Sequence, residues 1–494
     1  MAAIDQGTTS SRCLLFARDG AIVGSAQLEH RQLTPRPGWV EHDAAEIWER
    51  TGEVVAGALR NGGLEGKDVG AVGITNQRET TVVWDPATGE PLAPAIVWQD
   101  TRTAGLAAAL EERVGAARLR DLTGLPAATY FSGPKLRWLL DHQEGLRDRA
   151  LAGRALFGTV ESWLAWKLTG GAVHRTDATN ASRTLMMDLR SLRWSADLLD
   201  ALEIPAAMLP EIAPSSHPEA WGRTTADGPF ATPVPITGVI GDQQAALLGQ
   251  LRRRAGEAKC TYGTGAFLLM HTGTDAVASK AGLLTTVAYS DPERVEYALE
   301  GSVAVAGSLV QWLRDQLGFA ESAAGVERLA LQVEDSGGAV IVPAFSGLFA
   351  PWWRSDARGV ICGLTRHTDR RHLARAAIEA SAFQVREVIE AMRADAGHAP
   401  RELRVDGGMT VSELLLAFQA DILGIPVVRP RCVETTALGA AVAAGLAVGF
   451  WESETELAGA LEEDARFEPT MSGAARDERL TAWNRAVERS FDWV

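Results

Sequence analysis

The pattern of apolar and polar residues predicts an unusual unit, in which two strands are joined by a turn of glycine and hydroxyl residues. Near the amino terminus, Ile4 leads into the polar stretch 5–12, and a second apolar run follows at residues 13–16. The same order of strand, glycine-and-hydroxyl turn and strand recurs at residues 259–270. Because each turn joins two strands, neither is a dinucleotide or P-loop turn, which would join a strand to a helix.

Three further apolar runs, at residues 69–76, 95–100 and 235–241, indicate buried strands with polar or aromatic side chains near their carboxyl ends. In α/β proteins, ligands bind at this end of the strands. The alternative for each side chain is a structural role in a turn, a core or a helix cap. The candidate side chains at these ends are Arg78, Glu79, Trp98 and Asp242.

Helical periodicity and capping residues predict the larger remaining elements. The helix beginning near residue 303 places Gly307 and Gln311 one turn apart on the same face. The alanine- and glycine-rich run 435–451 is too short and too weakly apolar for a membrane span, so we interpret it as a buried helix. The other predicted helices cover residues 44–59, 103–119, 135–142, 371–393 and 413–423.

The recurrence of the strand–turn–strand unit predicts a duplicated α/β fold whose two halves face each other across a cleft. A chain of 494 residues also exceeds what one core usually supports. We therefore expect two domains, 1–250 and 251–494, with the basic stretch at 251–256 as their boundary.

Composition narrows the classes of partner. The net charge of −15 argues against nucleic acid or an anionic membrane, because no basic stripe is present to neutralise phosphates in series. The four cysteines are far apart and form no C-x-x-C pair, so the sequence indicates neither a disulfide framework nor a thiolate metal site. Such cysteine usage fits a protein of the reducing cytoplasm.

The turn at residues 5–12 has the chemistry of a phosphate site. Hydroxyl groups and backbone N–H groups can cradle phosphoryl oxygens, Arg12 offers a charged fork, and Asp5 can hold a cation. A turn without any ligand is the alternative, since turns favour these residue types. Walker, G-x-S-x-G, H-E-x-x-H and dinucleotide motifs are absent, so phosphoryl transfer remains the best-supported chemistry.

Five motifs in register resemble those of the FGGY sugar-kinase family, which shares the nucleotide-binding fold of actin and the heat-shock ATPases. The resemblance covers essentially the whole chain. It implies two ribonuclease H-like domains of the actin-like ATPase type, facing each other across a nucleotide and substrate cleft. The motifs are Asp5-Gln6-Gly7-Thr8-Thr9-Ser10-Ser11-Arg12, Gly73-Ile74-Thr75-Asn76-Gln77-Arg78-Glu79-Thr80-Thr81, Gly241-Asp242-Gln243-Gln244-Ala245-Ala246, Thr261-Tyr262-Gly263-Thr264-Gly265 and Asp406-Gly407-Gly408.

For the nucleotide, the resemblance implies ATP bound with Mg2+, the metal being held by Asp5 and Asp242. Where relatives that phosphorylate glycerol carry an asparagine against adenine, this chain has Ser412. The shorter hydroxyl side chain is expected to recognise the base more weakly or through water. The residues implied for the phosphates are Thr8, Thr9, Ser10, Arg12 and Thr264, and those implied for the adenosine side are Gly307, Gln311, Gly408 and Ser412.

For the substrate, the resemblance implies phosphorylation of glycerol to sn-glycerol 3-phosphate, the first step of glycerol catabolism. Asp242 is the expected general base for in-line transfer. The residues implied for glycerol are Arg78, Glu79, Trp98, Tyr130, Asp242, Gln243 and Phe267.

Two alternatives remain open at the level of sequence. A kinase of the same family can act on another polyol or a ketose, although pentulose kinases carry other residues in place of Arg78 and Glu79. An actin-like protein can also switch conformation with its nucleotide without transferring phosphate. The family resemblance further implies a homo-oligomer, either a dimer or a tetramer.

Overall fold

The structure is a computed structural model that describes residues 1–457, 459 and 461–494. Its first half contains a five-stranded sheet and several two-stranded ones. The strands of this half are β1 (Ala2–Gln6), β2 (Ser10–Phe16), β3 (Ile22–Glu29), β4 (Glu41–His42), β5 (Val72–Asn76), β6 (Val82–Trp84), β7 (Ala95–Ile96), β8 (Leu156–Gly158), β9 (Arg175–Asp177), β10 (Met187–Asp188), β11 (Arg193–Trp194), β12 (Glu211–Ala213) and β13 (Ile236–Gly241). Its helices are α1 (Ala44–Gly62), α2 (Ala104–Val114), α3 (Ala116–Thr123), α4 (Ser132–His142), α5 (Leu146–Leu151), α6 (Val160–Leu168), α7 (Ala178–Ala181), α8 (Ala196–Leu202) and α9 (Asp242–Gly249).

The second half contains a seven-stranded sheet and a small two-stranded one. Its strands are β14 (Ala258–Tyr262), β15 (Ala266–Gly273), β16 (Leu284–Ser290), β17 (Val295–Val303), β18 (Val340–Val342), β19 (Val360–Cys362), β20 (Leu403–Asp406), β21 (Val427–Pro430) and β22 (Glu463–Phe467). Its helices are α10 (Gly307–Asp315), α11 (Ala323–Ala330), α12 (Arg370–Ala396), α13 (Glu413–Leu423), α14 (Thr435–Ala447) and α15 (Gly473–Glu488).

The two large sheets share one topology, as the recurrence in the sequence predicts. In the first, the order is β13-β5-β1-β2-β3, with β1, β5 and β13 parallel and the β1–β2–β3 meander antiparallel. In the second, β21-β20-β14-β15-β17 repeats that order and those directions, with β16 and β22 added at the edges. Each sheet therefore places one glycine-and-hydroxyl turn between its central strand and the neighbouring antiparallel strand.

The observed elements correct several predicted boundaries. The helix predicted over 103–119 is broken at Gly115, whose φ of 89° and ψ of 132° are not helical, so α2 and α3 are separate. The helix predicted from residue 303 begins only at Gly307, because β17 continues through Val303. The strand predicted over 95–100 is limited to Ala95–Ile96, after which the chain turns, with the Asp100 N–H donating to the Val97 carbonyl.

Helix α14 is the buried helix that the sequence predicts, and it connects the two halves. It packs against α9 and against strands β13, β5 and β1 of the first sheet. The contact is close, since a Cβ on Gly439 would lie 1.8 Å from the Ala245 carbonyl oxygen and one on Gly249 would lie 1.9 Å from that of Thr435. Within the described part of the chain, no helix combines the length and apolar character needed to cross a membrane.

Gly439→Ala tests this helix contact. An alanine normally stabilises a helix by up to about 1 kcal/mol over glycine. Here the methyl group has no room, and we expect the free energy of unfolding to fall by about 3 kcal/mol, the upper part of the usual overpacking range. Denaturant unfolding measures the change. Gly105→Ala in α2 is the matched control, because a Cβ there meets nothing within 4 Å. Equal stabilities for both variants would contradict the close contact.

Candidate active site

The turn between β1 and β2 forms the first candidate phosphate loop. The Gly7 N–H donates to the Ser10 carbonyl at 2.9 Å, which closes the turn and leaves Thr8 and Thr9 at its tip. Thr9 is exposed, whereas Ser10 is buried and its hydroxyl accepts a hydrogen bond from Gln27 at 3.0 Å. The tip of the loop is therefore accessible to a ligand.

Arg12 lies opposite Asp5 in the β1–β2 ladder, and the two side chains form an ion pair. The other arm of the guanidinium donates to Glu434 of the second half at 2.6 Å. Burial raises the pKa of Asp5, and the positive charge of Arg12 only partly opposes this effect. Glu434, which the sequence did not indicate as a site residue, thus connects the first loop to the other half.

Three aromatic rings form one wall of the cleft. The Trp98 ring meets the Tyr130 ring edge-on at 5.6 Å and the Phe267 ring at 6.0 Å between centroids. The Trp98 indole N–H also donates to the Thr8 hydroxyl at 3.0 Å. The aromatic wall expected for substrate thus adjoins the loop expected for phosphate.

The candidate base Asp242 is the first residue of α9, where strand β13 ends at the cleft. Its Oδ1 accepts a hydrogen bond from the Gln243 N–H at 2.7 Å and lies 3.0 Å from the Arg78 Nε. Burial raises the pKa of Asp242, while the positive charges of Arg78 and Lys259 oppose the increase. A raised pKa makes the carboxylate a stronger proton acceptor than an exposed aspartate.

Arg78 and Glu79 follow β5 and are almost completely buried. The two terminal nitrogens of Arg78 donate to the two oxygens of Glu300 at 2.7 and 2.8 Å, and one of them also donates to Gln244 at 3.1 Å. Glu79 has a φ of 64° and accepts a hydrogen bond from Arg183 at 2.6 Å. Neither residue is therefore a solvated charge on the surface of a turn.

Gln243 is oriented by a lysine that the sequence did not indicate as a site residue. The ammonium group of Lys259 donates to the Gln243 Oε1 at 2.5 Å and to the Thr261 hydroxyl at 2.8 Å. Because the amide oxygen accepts from Lys259, the NH2 group of Gln243 is directed elsewhere and can donate to a ligand. Burial lowers the pKa of Lys259, although Asp406 and Asp242 oppose this.

The second candidate phosphate loop, between β14 and β15, rests on the amino terminus of α10. The Thr264 carbonyl accepts from the Ala306 and Ser308 N–H groups at 2.9 and 3.1 Å. Gly307 allows this approach, since a Cβ there would lie 2.5 Å from the Gly263 carbonyl oxygen. Gln311 is exposed one turn further along α10.

The glycine turn after β20 completes the region expected for adenosine. A Cβ on Gly408 would meet nothing within 4 Å, and Met409 lies beside Gly307. Ser412 is different, because its hydroxyl donates to Glu327 at 2.6 Å and accepts from the Leu415 N–H at 3.2 Å as the cap of α13. The single donor of the hydroxyl and one of its two acceptor positions are thus engaged within the protein.

The structure brings the seven residues predicted for the substrate into one connected cluster. The contacts run through the aromatic wall, the Asp242 and Arg78 pair, and the side chains of Arg183 and Lys259. Three members of this cluster, Arg183, Lys259 and Glu300, were missed by the sequence analysis. Lys259 is the single charged residue of the predicted unit 259–270, which was the available signal, whereas Glu300 shares its strand with Glu296 and gave none.

Comparison with solved structures places this geometry among known kinases. The crystal structure of Plasmodium falciparum glycerol kinase with ADP superposes with a TM-score of 0.91 at 38% identity, covering 99% of this chain and 97% of that one. Xylulose kinase from Lactobacillus acidophilus, at 21% identity, shares the fold with a TM-score of 0.85 over 99% and 97% of the two chains. The protein is thus an α/β protein with the two-domain, actin-like ATPase fold.

Family models identify the group within that class. Residues 1–249 match the N-terminal domain of the FGGY family of carbohydrate kinases, and residues 258–448 match its C-terminal domain. The glycerol kinase of Beijerinckia indica is 55% identical over 499 aligned positions, which cover 100% of this chain and 98% of that protein. The chain belongs to the FGGY family of carbohydrate kinases, as its motifs predict.

Ser412→Ala separates a capping role from a nucleotide contact. We expect the free energy of unfolding to fall by about 1 kcal/mol, the usual value for a lost N-cap, while the affinity for ADP, measured by calorimetric titration, stays within about twofold because the hydroxyl is engaged by Glu327. Ser472→Ala is the matched control, since Ser472 caps α15 in the same way. A tenfold weaker ADP affinity for Ser412→Ala alone would place the hydroxyl against the nucleotide.

Proposed function

We propose that the protein transfers the γ-phosphoryl group of ATP to glycerol, giving sn-glycerol 3-phosphate and ADP as the first step of glycerol catabolism. The observation that carries the proposal is the hydrogen bond from Trp98 to Thr8, because it joins a small aromatic pocket directly to a phosphate loop. The full-length similarity to proteins named glycerol kinase, and to one crystallised with ADP, supports the same reaction.

The pocket suits a small triol. Each hydroxyl of glycerol both donates and accepts a hydrogen bond, and the pocket offers donors on Arg78 and Gln243 together with acceptors on Asp242 and Glu79. The Trp98 and Phe267 rings can cover the C–H groups of the glycerol chain, which need no hydrogen-bond partners. These groups fix the orientation of the substrate and thereby select which hydroxyl faces the phosphate.

Asp242 acts as the general base of the transfer. Its carboxylate accepts the proton of the attacking primary hydroxyl as that oxygen approaches the γ-phosphorus in line with the leaving oxygen. The phosphates bind to the two loops through Thr8, Thr9, Ser10 and Thr264, and Arg12 offsets their negative charge. Gly307, Gln311 and Gly408 border the adenosine, and we assign Ser412 at most a peripheral part there.

Asp5 and Asp242 are the residues that would hold Mg2+. In the described residues, no group of three or more histidine, cysteine, aspartate or glutamate side chains is arranged to hold a metal. Mg2+ needs fewer protein ligands than that, because it usually binds one or two protein carboxylates together with phosphate oxygens and water. The negative charge of Asp5 also contributes to the raised pKa of Asp242. A cation bound between the two carboxylates would offset this repulsion. When bound, the metal neutralises phosphate charge.

The domain assignment follows from these roles. We assign the glycerol pocket and the first phosphate loop to residues 1–250, and the second loop and adenosine site to residues 251–494. Closure of the cleft excludes water, which would otherwise compete with glycerol for the phosphoryl group. A cytoplasmic location and a homo-oligomeric state, dimer or tetramer, stay predictions.

Formation of glycerol 3-phosphate by the purified protein is the direct test. A panel of polyols and ketoses with ATP distinguishes glycerol from the other substrates of the family. Tight nucleotide binding without phosphorylation of any member of the panel would favour the conformational switch instead.

Asp242→Asn tests the general base. The amide cannot accept the proton, and general-base contributions are typically ~100- to 10,000-fold, so we expect kcat to fall by at least about 100-fold. Nucleotide binding, measured by titration with ADP, stays detectable. Arg78→Ala provides the comparison, since it should raise the KM for glycerol far more than the KM for ATP. Near-normal turnover of Asp242→Asn would remove Asp242 from this role.

Lys259→Met tests the electrostatics of the base. Asp242 must be unprotonated to accept a proton, so activity is present above its raised pKa and is lost as the pH falls through that value. The positive charge of Lys259 opposes the increase in the Asp242 pKa that burial causes, so removing this charge raises the pKa further. We therefore expect the acid limb of the kcat profile to move to higher pH.

The control for this shift is Lys67→Met, which removes an exposed lysine paired with Glu65. It should leave the acid limb in place. An unchanged limb in Lys259→Met would show that Lys259 does not act on the base.

A further inference from the structure

Glu300 is a completely buried carboxylate on β17 of the second sheet. Its neighbours across the sheet are Leu269 and Leu284, so it stands as a charge among apolar residues. Its two oxygens accept from the two terminal nitrogens of Arg78 at 2.7 and 2.8 Å. A paired geometry of this kind fixes both the position and the plane of a guanidinium group.

Arg78 is constrained from two further directions. Gln244 accepts from one of the two nitrogens that donate to Glu300, and Asp242 lies 3.0 Å from Nε. The aliphatic part of Arg78 runs over Gly241, where an added Cβ would lie 2.7 Å from the Arg78 Cδ. Of the five N–H donors of a guanidinium, three are hydrogen-bonded within the protein. The plane set by Glu300 decides where the remaining donors point.

Glu300 also interacts with Arg183, the second buried guanidinium of the pocket. An Arg183 terminal nitrogen lies 3.2 Å from Glu300, while the Arg183 Nε donates to Glu79 at 2.6 Å. Burial alone would raise the pKa of Glu300, but Arg183 and Arg78 outweigh it and lower the pKa to about 2. One anion of the second sheet therefore stabilises both cations beside Glu79.

We propose that Glu300 is a positioning residue for substrate selection, which orients Arg78 directly and Glu79 through Arg183 without touching the substrate. The proposal rests on glycerol phosphorylation as the proposed function. It means that the recognition groups of the first half are aligned by a side chain of the second half. Loss of Glu300 should therefore weaken glycerol recognition while leaving the nucleotide site intact.

The test compares Glu300→Gln with Glu296→Gln. Both glutamates lie on β17, both are buried, and both are paired with arginine, Glu296 with Arg253 at 2.7 Å. We expect Glu300→Gln to raise the KM for glycerol at least tenfold and to change the KM for ATP less than twofold. Glu296→Gln should change neither. Equal effects of the two substitutions would reduce Glu300 to a general structural role and overturn the proposal.

A double variant tests whether Glu300 acts through Arg78. In the Arg78→Ala background, Glu300→Gln should raise the KM for glycerol less than it does in the wild-type protein, because only the path through Arg183 to Glu79 remains. If the increases in the KM for glycerol caused by the two single substitutions multiply in the double variant, Glu300 acts independently of Arg78, and the proposal is overturned. Glu300→Asp keeps the charge but is too short to reach both nitrogens, so an intermediate KM is expected, and this variant serves if Glu300→Gln does not fold.

The wild-type protein separates failure of the two proposals. If it forms no glycerol 3-phosphate but phosphorylates another member of the substrate panel, glycerol phosphorylation is wrong. The same KM comparison with that substrate then decides the role of Glu300. If it phosphorylates glycerol and Glu300→Gln matches wild type in both KM values, the positioning role alone is wrong.

Discussion

The close crossing of α9 and α14 is the contact on which the candidate active site depends. Asp242 is the first residue of α9, and the same helix is held at Ala245 and Gly249 against α14 with no room for a side chain between the backbones. Helix α14 in turn covers the central strands of the first sheet. The carboxylate is thus placed by backbone packing, which is stiffer than any single side-chain contact. The proposed role of Asp242 as general base requires that stiffness, because a base must meet the hydroxyl within hydrogen-bond range.

Burial of several charges in one cleft imposes a second constraint. A buried ion is tolerated only when it is paired, because desolvation costs several kcal/mol per charge, on the order of the stability of a whole domain. Arg78, Glu79 and Arg183 come from the first half, whereas Glu300 comes from the second. Arg12 and Glu434 form a partly exposed pair between the halves at the candidate first phosphate loop. The pockets therefore reach their described form only when the two halves are in contact.

The features that the sequence predicts depend on residues that are close together in the chain, whereas those that it misses depend on residues that are far apart. The two turns are local, and composition and periodicity indicate each of them within about ten residues. The Arg78 and Glu300 pair spans 222 positions, so no spacing rule identifies it. Element boundaries were wrong where a single backbone conformation decides them, as at Gly115. The sequence shows that Ser412 departs from the asparagine of relatives. Its hydrogen bond to Glu327 could not be predicted, because Glu327 lies on a different helix, distant in the chain.

Trp98 joins the proposed substrate pocket to the candidate phosphate loop. Its ring packs between Tyr130 and Phe267, and its N–H donates to Thr8. Phe267 stands on β15, directly after the second phosphate loop, so the ring is also tied to the other half. Movement of either loop relative to the pocket must break the indole hydrogen bond or open the aromatic wall. In the proposed transfer, both changes would admit water, so alignment of the candidate phosphate loops and exclusion of water would depend on the same contacts.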